Sequence, residues 1–164
     1  NERDRRPGVG ADDLNVYGMV RAFVSARLMK AIANGLWVVC FCELMGLGVL
    51  NEDILNITVP GAMEIPIALQ RLAFSGEFDA LIALGAVIKG DTYHFEIVCG
   101  ESARGVSSVA LAHDVPVVNM VLTTYTEEQA IERIEDKGVD AARCAVEMGN
   151  LMMTRDDNLP SADD

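Results

Sequence analysis

Short apolar runs alternate with longer stretches of helical spacing along most of this chain, and that alternation limits the fold more than any other feature. Met19–Ser25, Ile54–Val59, Ala80–Val87 and Pro116–Leu122 read as strands, with Ala80–Val87 apolar enough to be buried on both sides. The spacing predicts helices over Lys30–Met45, from Pro66 to Ser75-Gly76, over about Phe95–His113, and over Glu127–Ile134 and Lys137–Met152. The last two are expected to hinge near Asp136-Lys137-Gly138. Proline suits a first helical turn and disfavours helical geometry at Ile65, which leaves Glu64 in the preceding turn.

Apolar strands that alternate with helices need cover on both faces, and short connections then favour a parallel sheet. The expected fold is α/β, a three-layer sandwich with a flavodoxin-like parallel sheet flanked by helices. At 164 residues one domain is expected, large enough to bury roughly 70% of the surface the unfolded chain exposes. Residues 1–15 are charged and Gly-rich and read as a mobile arm, residues 16–153 as the single domain, and residues 154–164 as a flexible tail.

Charge narrows the partners. A formal net charge of −12 disfavours nucleic acid and anionic membrane, which reward clustered Lys and Arg. A small anionic ligand needs only a few local cations, for which Lys89, Arg133 and Lys137 are candidates. The longest nearly uncharged stretch, Gly35–Leu50, contains Glu43 and is shorter than the ~20 residues a spanning helix needs, so no membrane segment is expected. The four cysteines, Cys40, Cys42, Cys99 and Cys144, have no metal-ligand spacing. Core packing is their expected role, and with no secretory signal read, reduced thiols and a cytoplasmic location are expected.

Helix 30–45 carries a separate message. Ile32, Leu36, Val39, Cys40 and Leu44 can face the sheet, while Trp37, Val38, Phe41 and Met45 point elsewhere. A helix apolar nearly all round needs cover on more than one side, from a second subunit or from unusually deep burial within its own chain.

If the strands are parallel, the loops at their carboxyl ends share one edge, where ligands bind in open α/β sheets. That edge collects Arg27 and Leu28, then Val59–Glu64, then Ala86–His94, then Leu122-Thr123-Thr124. It offers an apolar floor, one carboxylate, one imidazole, and a Gly-Asp-Thr turn with backbone N–H groups that suit an anion. His94, one of only two histidines, can move protons near neutral pH, or it can simply pack at a helix start. Glu64 can bind a ligand or favour a helix N-terminus. The set suits a flat polar ring plus a phosphate better than a metal.

Four blocks carry a resemblance. Val59-Pro-Gly-Ala-Met-Glu-Ile-Pro66, the Gly85–Glu96 stretch, Val121-Leu-Thr-Thr124, and Glu128-Gln-Ala-Ile-Glu-Arg133 followed by Lys137-Gly138 resemble the lumazine synthase family. The likeness runs over about residues 20–152. It implies a flavodoxin-like fold, pentamers that in some members build decamers or sixty-subunit shells, and active sites between neighbouring subunits. It implies small-molecule substrates and no redox cofactor or metal. By position, Glu64 would hold the ribityl hydroxyls of 5-amino-6-ribitylamino-pyrimidinedione, beside the backbone of Ala62 and Met63. Val87 and Ile88 would line the ring pocket, and Leu28 would cover the ring. Asp91 and Thr92 would hold the phosphate of 3,4-dihydroxy-2-butanone 4-phosphate. His94 would transfer protons, while Arg133, Asn119 and Lys137 would enter from the adjacent subunit.

The chain departs from the family in its first third. Leu28 stands where an aromatic residue usually stacks on the ring, and Met29 stands where Asn is frequent, which removes a hydrogen bond. The linker from Arg133 to Lys137 is also shorter than in many members. Two readings follow. Glu64, His94 and Arg133 together favour a working lumazine synthase; the aromatic-to-leucine change would suit a catalytically weak or inactive relative that binds a flavin-like ligand or builds a shell. A phospho-acceptor sensor is disfavoured, since Asp91 lacks the surrounding pattern.

Overall fold

The computed structural model describes residues 19–153. The expected arm, residues 1–15, and tail, residues 154–164, lie outside the described residues. Strands β1 (Arg21–Ala26), β2 (Ile54–Val59), β3 (Ala80–Ile88) and β4 (Val117–Thr124) form one parallel sheet in the order β2-β1-β3-β4. Helices α1 (Lys30–Gly46), α2 (Ile65–Ser75), α3 (His94–His113) and α4 (Glu127–Met152) cover its two faces. This is the three-layer parallel α/β architecture that the alternation predicts.

The sheet's two-residue period separates two cores. Phe23, Ile82, Leu84, Val118 and Leu122 pack with Leu36, Cys40, Ala141 and Ala145 of α1 and α4. Ala22, Val24, Leu81 and Ala83 pack with Leu69, Val106 and Val109 of α2 and α3. Both sides of β1 and β3 are therefore buried, which is why these strands read as continuous apolar runs rather than alternating ones.

The expected break at Asp136-Lys137-Gly138 is absent: α4 is one helix of 26 residues. Gly138 serves contact with α1 instead. A Cβ there would lie 2.6 Å from Cγ1 and 2.7 Å from Cβ of Val39. Glycine costs about 1 kcal/mol in a helix interior, but here it allows the α1 and α4 backbones to approach. Thr126 and Gln129 start α4 as a reciprocal capping pair, with Gln129 N–H donating to Thr126 Oγ1 at 3.2 Å and Thr126 N–H to Gln129 Oε1 at 3.3 Å.

Two further expectations need correction. Ile65 is helical, at φ −62° and ψ −48°, despite preceding Pro66. A one-turn 3₁₀ helix, Ala62–Glu64, leads straight into α2, and full burial of Ile65 outweighs the local preference. Of the cysteines only Cys40 is a core residue; Cys42 and Cys144 are exposed and Cys99 is half-buried. Burial, with a smaller contribution from Glu43, pushes the Cys40 thiol up to about 12, so it stays protonated and inert at neutral pH.

Candidate active site

Strand order determines where the crevice opens. From β1 the chain passes to β2 on one side, while β3 leads to β4 on the other. The loops after β1 and β3 consequently diverge, and a switch point in an open parallel sheet leaves room for a ligand there. A cleft of about 290 Å³ occupies this position, lined by Leu28 and Met29 after β1, Ala62 after β2, Ala86–Ile88, Gly90 and Thr92 along and after β3, and His94, Phe95 and Val98 of α3.

Each wall has a local cause. Arg27 N–H donates to Val59 O at 2.8 Å and Leu28 N–H to Pro60 O at 3.0 Å, so the β1–α1 turn is tied to the loop carrying Ala62. Leu28 leaves that turn with its side chain 68% exposed. Met29 follows in the left-handed region, φ 60° and ψ 48°, and no side-chain bond caps α1 there. For a non-glycine residue this conformation costs about 1–2 kcal/mol. On the opposite wall, Val87 and Ile88 are half-buried at the end of β3. Lys89 N–H then closes the strand onto Thr124 O at 3.0 Å.

His94 is exposed at the start of α3, and its backbone N–H donates to Thr92 Oγ1 at 3.4 Å. Thr92 thereby ties the turn to the helix start, and the imidazole stands at the cleft beside the Gly90–Thr92 turn. The arrangement offers an apolar slot for a planar ring, a proton-transfer group, and backbone N–H groups at one end of a 20-residue helix. Among the described residues no group of His, Cys, Asp and Glu is suited to hold a metal ion.

Of the sequence-predicted site residues, Leu28, Ala62, Val87, Ile88, Thr92 and His94 line one cleft. Asp91 is exposed in the same turn but does not line it. Met63 turns into a groove between α2 and α3, leaving its backbone beside Ala62. Glu64 is exposed, and its carboxylate folds back so that a Cβ at Gly61 would meet Oε1 at 3.3 Å. Asn119 lies exposed on the edge strand β4, where its Oδ1 accepts from Val121 N–H at 3.1 Å.

Arg133 and Lys137 project from α4, in the other helical layer from α3, and neither lines the cleft. Arg133 Nη1 donates to Gln129 O at 2.8 Å, and Lys137 Nζ lies 3.8 Å from Asp140 Oδ2. Lys89 sits with Nζ 5.3 Å from the centre of the Tyr125 ring, away from the cleft lining. The cleft as formed by one chain thus has no Lys or Arg among its lining residues.

Phe95 and Val98 were not among the expected contacts. Val98 was legible, since it lies four positions after His94 on one face of a new helix, and Phe95 neighbours Val98 at i,i+3. Met29 was weighed only for the hydrogen bond its side chain lacks; the conformation of its backbone could not be read from residue type.

Comparison with known proteins identifies the family. Residues 18–153 match the family model described as 6,7-dimethyl-8-ribityllumazine synthase. Proteins of that name from Burkholderia mallei and Burkholderia pseudomallei are each 54% identical over 151 residues, covering 92% of this chain and 84% of theirs. The Burkholderia multivorans protein of the same name is 52% identical over 151 residues, covering 92% of this chain and 85% of its own. A match across the whole described fold, with such identity over most of the length of both partners, shows that the chain belongs to the 6,7-dimethyl-8-ribityllumazine synthase family.

Proposed function

We propose that this chain is an enzyme of riboflavin biosynthesis. It condenses 5-amino-6-ribitylamino-pyrimidinedione with 3,4-dihydroxy-2-butanone 4-phosphate to give 6,7-dimethyl-8-ribityllumazine, phosphate and water. The observation that carries this reading is the meeting of His94, the Gly90–Thr92 turn and an apolar slot in one cleft, in a chain of this family.

The chemistry follows from the groups present. Leu28, Ala62, Val87 and Ile88 would hold the pyrimidinedione ring, with Glu64 and the backbone at Ala62 and Met63 on the ribityl chain. The phosphorylated ketone would place its phosphate at the Asp91-Thr92 turn. Amine addition to the ketone carbonyl and loss of water form an imine; phosphate then leaves, and ring closure expels a further water. His94 would move protons in these steps, an effect of about 10²–10⁴-fold. Holding both reactants in one slot contributes through orientation.

Backbone N–H groups alone hold a doubly charged phosphate less firmly than they do with a cation, and the cleft lining from one chain has no Lys or Arg. Arg133 and Lys137, with Asn119 on the edge strand, are therefore assigned to the site of an adjacent subunit in a homopentamer, whether or not pentamers assemble further into decamers or shells. The bond from Arg133 to Gln129 O uses only one of the guanidinium's N–H donors. A cytoplasmic location suits this reaction and these substrates.

Purified protein given both substrates should produce lumazine absorbance. His94→Ala should lower turnover by about 10²–10⁴-fold with small effects on either Michaelis constant. Arg133→Ala should raise the apparent KM for the phosphorylated substrate alone, since each charge-assisted bond contributes about 1.5–3 kcal/mol. Mixing the two variants before assembly should restore part of the activity, because a His94-intact cleft can meet an Arg133-intact neighbour. No recovery in mixed oligomers of verified composition would refute the shared site.

A further inference from the structure

Two non-glycine residues in the described part of the chain have positive φ, and they differ in context. Asp114 (φ 52°) ends α3, where a left-handed residue is an ordinary way to close a helix. Met29 (φ 60°) instead begins α1, where an extended backbone and a side-chain cap are usual; it has neither. Its strain therefore does nothing for helix capping through the side chain. What the conformation does is turn the chain sharply within three residues of the end of β1. Met29 O accepts from Ile32 N–H at 3.1 Å and Ala33 N–H at 3.2 Å, while Leu28 N–H is held by Pro60 O. The residue between those two anchors decides where Leu28 points, and Leu28 lines the cleft opposite β3.

We propose that Met29 is a positioning residue for the ring-binding half of the cleft: its left-handed backbone, rather than its thioether, holds Leu28 over the bound ring. The inference rests on the enzymatic reading above for the identity of the ring. Side-chain requirements follow from it. Glycine and asparagine visit the left-handed region readily, whereas a β-branched residue resists it strongly and alanine less so.

Steady-state kinetics of the assembled protein with Met29→Asn, Met29→Gly, Met29→Ala and Met29→Val test this. Val should raise the apparent KM for the pyrimidinedione at least about tenfold over the parent, whereas Asn, Gly and Ala, which like methionine carry no β-branch, should each raise it several-fold less than Val. The KM for the phosphorylated ketone should stay within about threefold throughout. A merely structural role would lower melting temperature and active fraction without separating the two Michaelis constants. Equal pyrimidinedione KM in the parent and the Val variant would overturn the proposal, as would an increase in Asn or Gly as large as in Val. If Val does not assemble, Met29→Thr, also β-branched, set against Met29→Asn carries the same comparison. If the parent binds the pyrimidinedione without turnover, the enzymatic reading fails alone, and calorimetric affinities of the same variants decide the role of Met29. A parent that binds no pyrimidinedione overturns both.

Discussion

In the layer formed by α1 and α4, Gly138 sits where a Cβ would strike Val39; in the layer formed by α2 and α3, Gly105 sits where one would lie 2.6 Å from Cγ of Pro66. Both layers thus close around a glycine, yet their outward surfaces differ. Part of the apolar circumference of α1 is satisfied inside the chain: Trp37 stacks on Phe41 with ring centres 4.9 Å apart, and α4 lies alongside. Val38, Met45 and Ile131 remain between 41% and 52% exposed, and Val38, Cys42 and Ile131 line a groove there. The other layer leaves far more open, with Phe74 at 80%, Leu111 at 86% and Ile67 at 67% exposure. Met63, Pro66, Ile67 and Val109 also line a groove there. In the homopentamer proposed above, this surface is the better candidate for the subunit contact. The apolar helix α1 does keep Val38 and Met45 open, as its composition predicts, but the most exposed apolar side chains belong to α2 and α3.

Substitutions that break one layer's surface and spare the other would test this contrast most directly. The largest expected effect is loss of assembly: Phe74→Asp with Leu111→Asp should reduce the particle to single chains of 17.7 kDa in sedimentation or light scattering. Val38→Asp with Ile131→Asp should leave the oligomer intact. The reverse outcome would move the subunit contact to α1 and α4.

Next come the two glycines. Gly138→Ala and Gly105→Ala should each destabilise the fold by about 1–3 kcal/mol, through overpacking that exceeds the gain in helix propensity. Chemical unfolding measures both. A neutral Gly138→Ala would mean that α1 and α4 slide apart easily, leaving the α1 layer less closed than described.

A smaller effect belongs to the cleft. Leu28→Phe should tighten pyrimidinedione binding by about 0.5–1.5 kcal/mol, because a ring adds stacking to area burial. An unchanged or higher dissociation constant would show that residue 28 does not face the ring.

Smallest is Gly100→Ala. A Cβ at this position on α3 would meet nothing within 4 Å in the single chain, so helix propensity alone predicts stabilisation of about 0.5–1 kcal/mol. Destabilisation instead would place a subunit partner against α3, sharpening the difference between the layers.

Much of the fold was legible because burial on two faces leaves a plain signature. Ala80–Val87 is apolar throughout since both sides of β3 meet helices, and the predicted edge residues Leu28, Ala62, Val87, Ile88, Thr92 and His94 meet because parallel strands share a carboxyl edge. The failures were residues whose role depends on a neighbour distant in sequence. Gly138 looked like a helix break because Val39, the side chain it accommodates, is nearly a hundred positions away. Cys42 and Cys144 looked like core residues because residue type does not tell which helix face another helix will cover.

The sequence by itself determined the layering and family of this protein, because periodicity and local motifs are properties of neighbouring residues. Only the tertiary structure decided that the crevice lies between the loops of β1 and β3, that α4 runs unbroken, and that Met29 must hold a left-handed turn. These depend on strand order and on contacts between segments far apart in the chain. Their free energy comes from packing and hydrogen bonds that local propensity opposes at Met29, Ile65 and Gly138, and at each of these positions the long-range term prevailed.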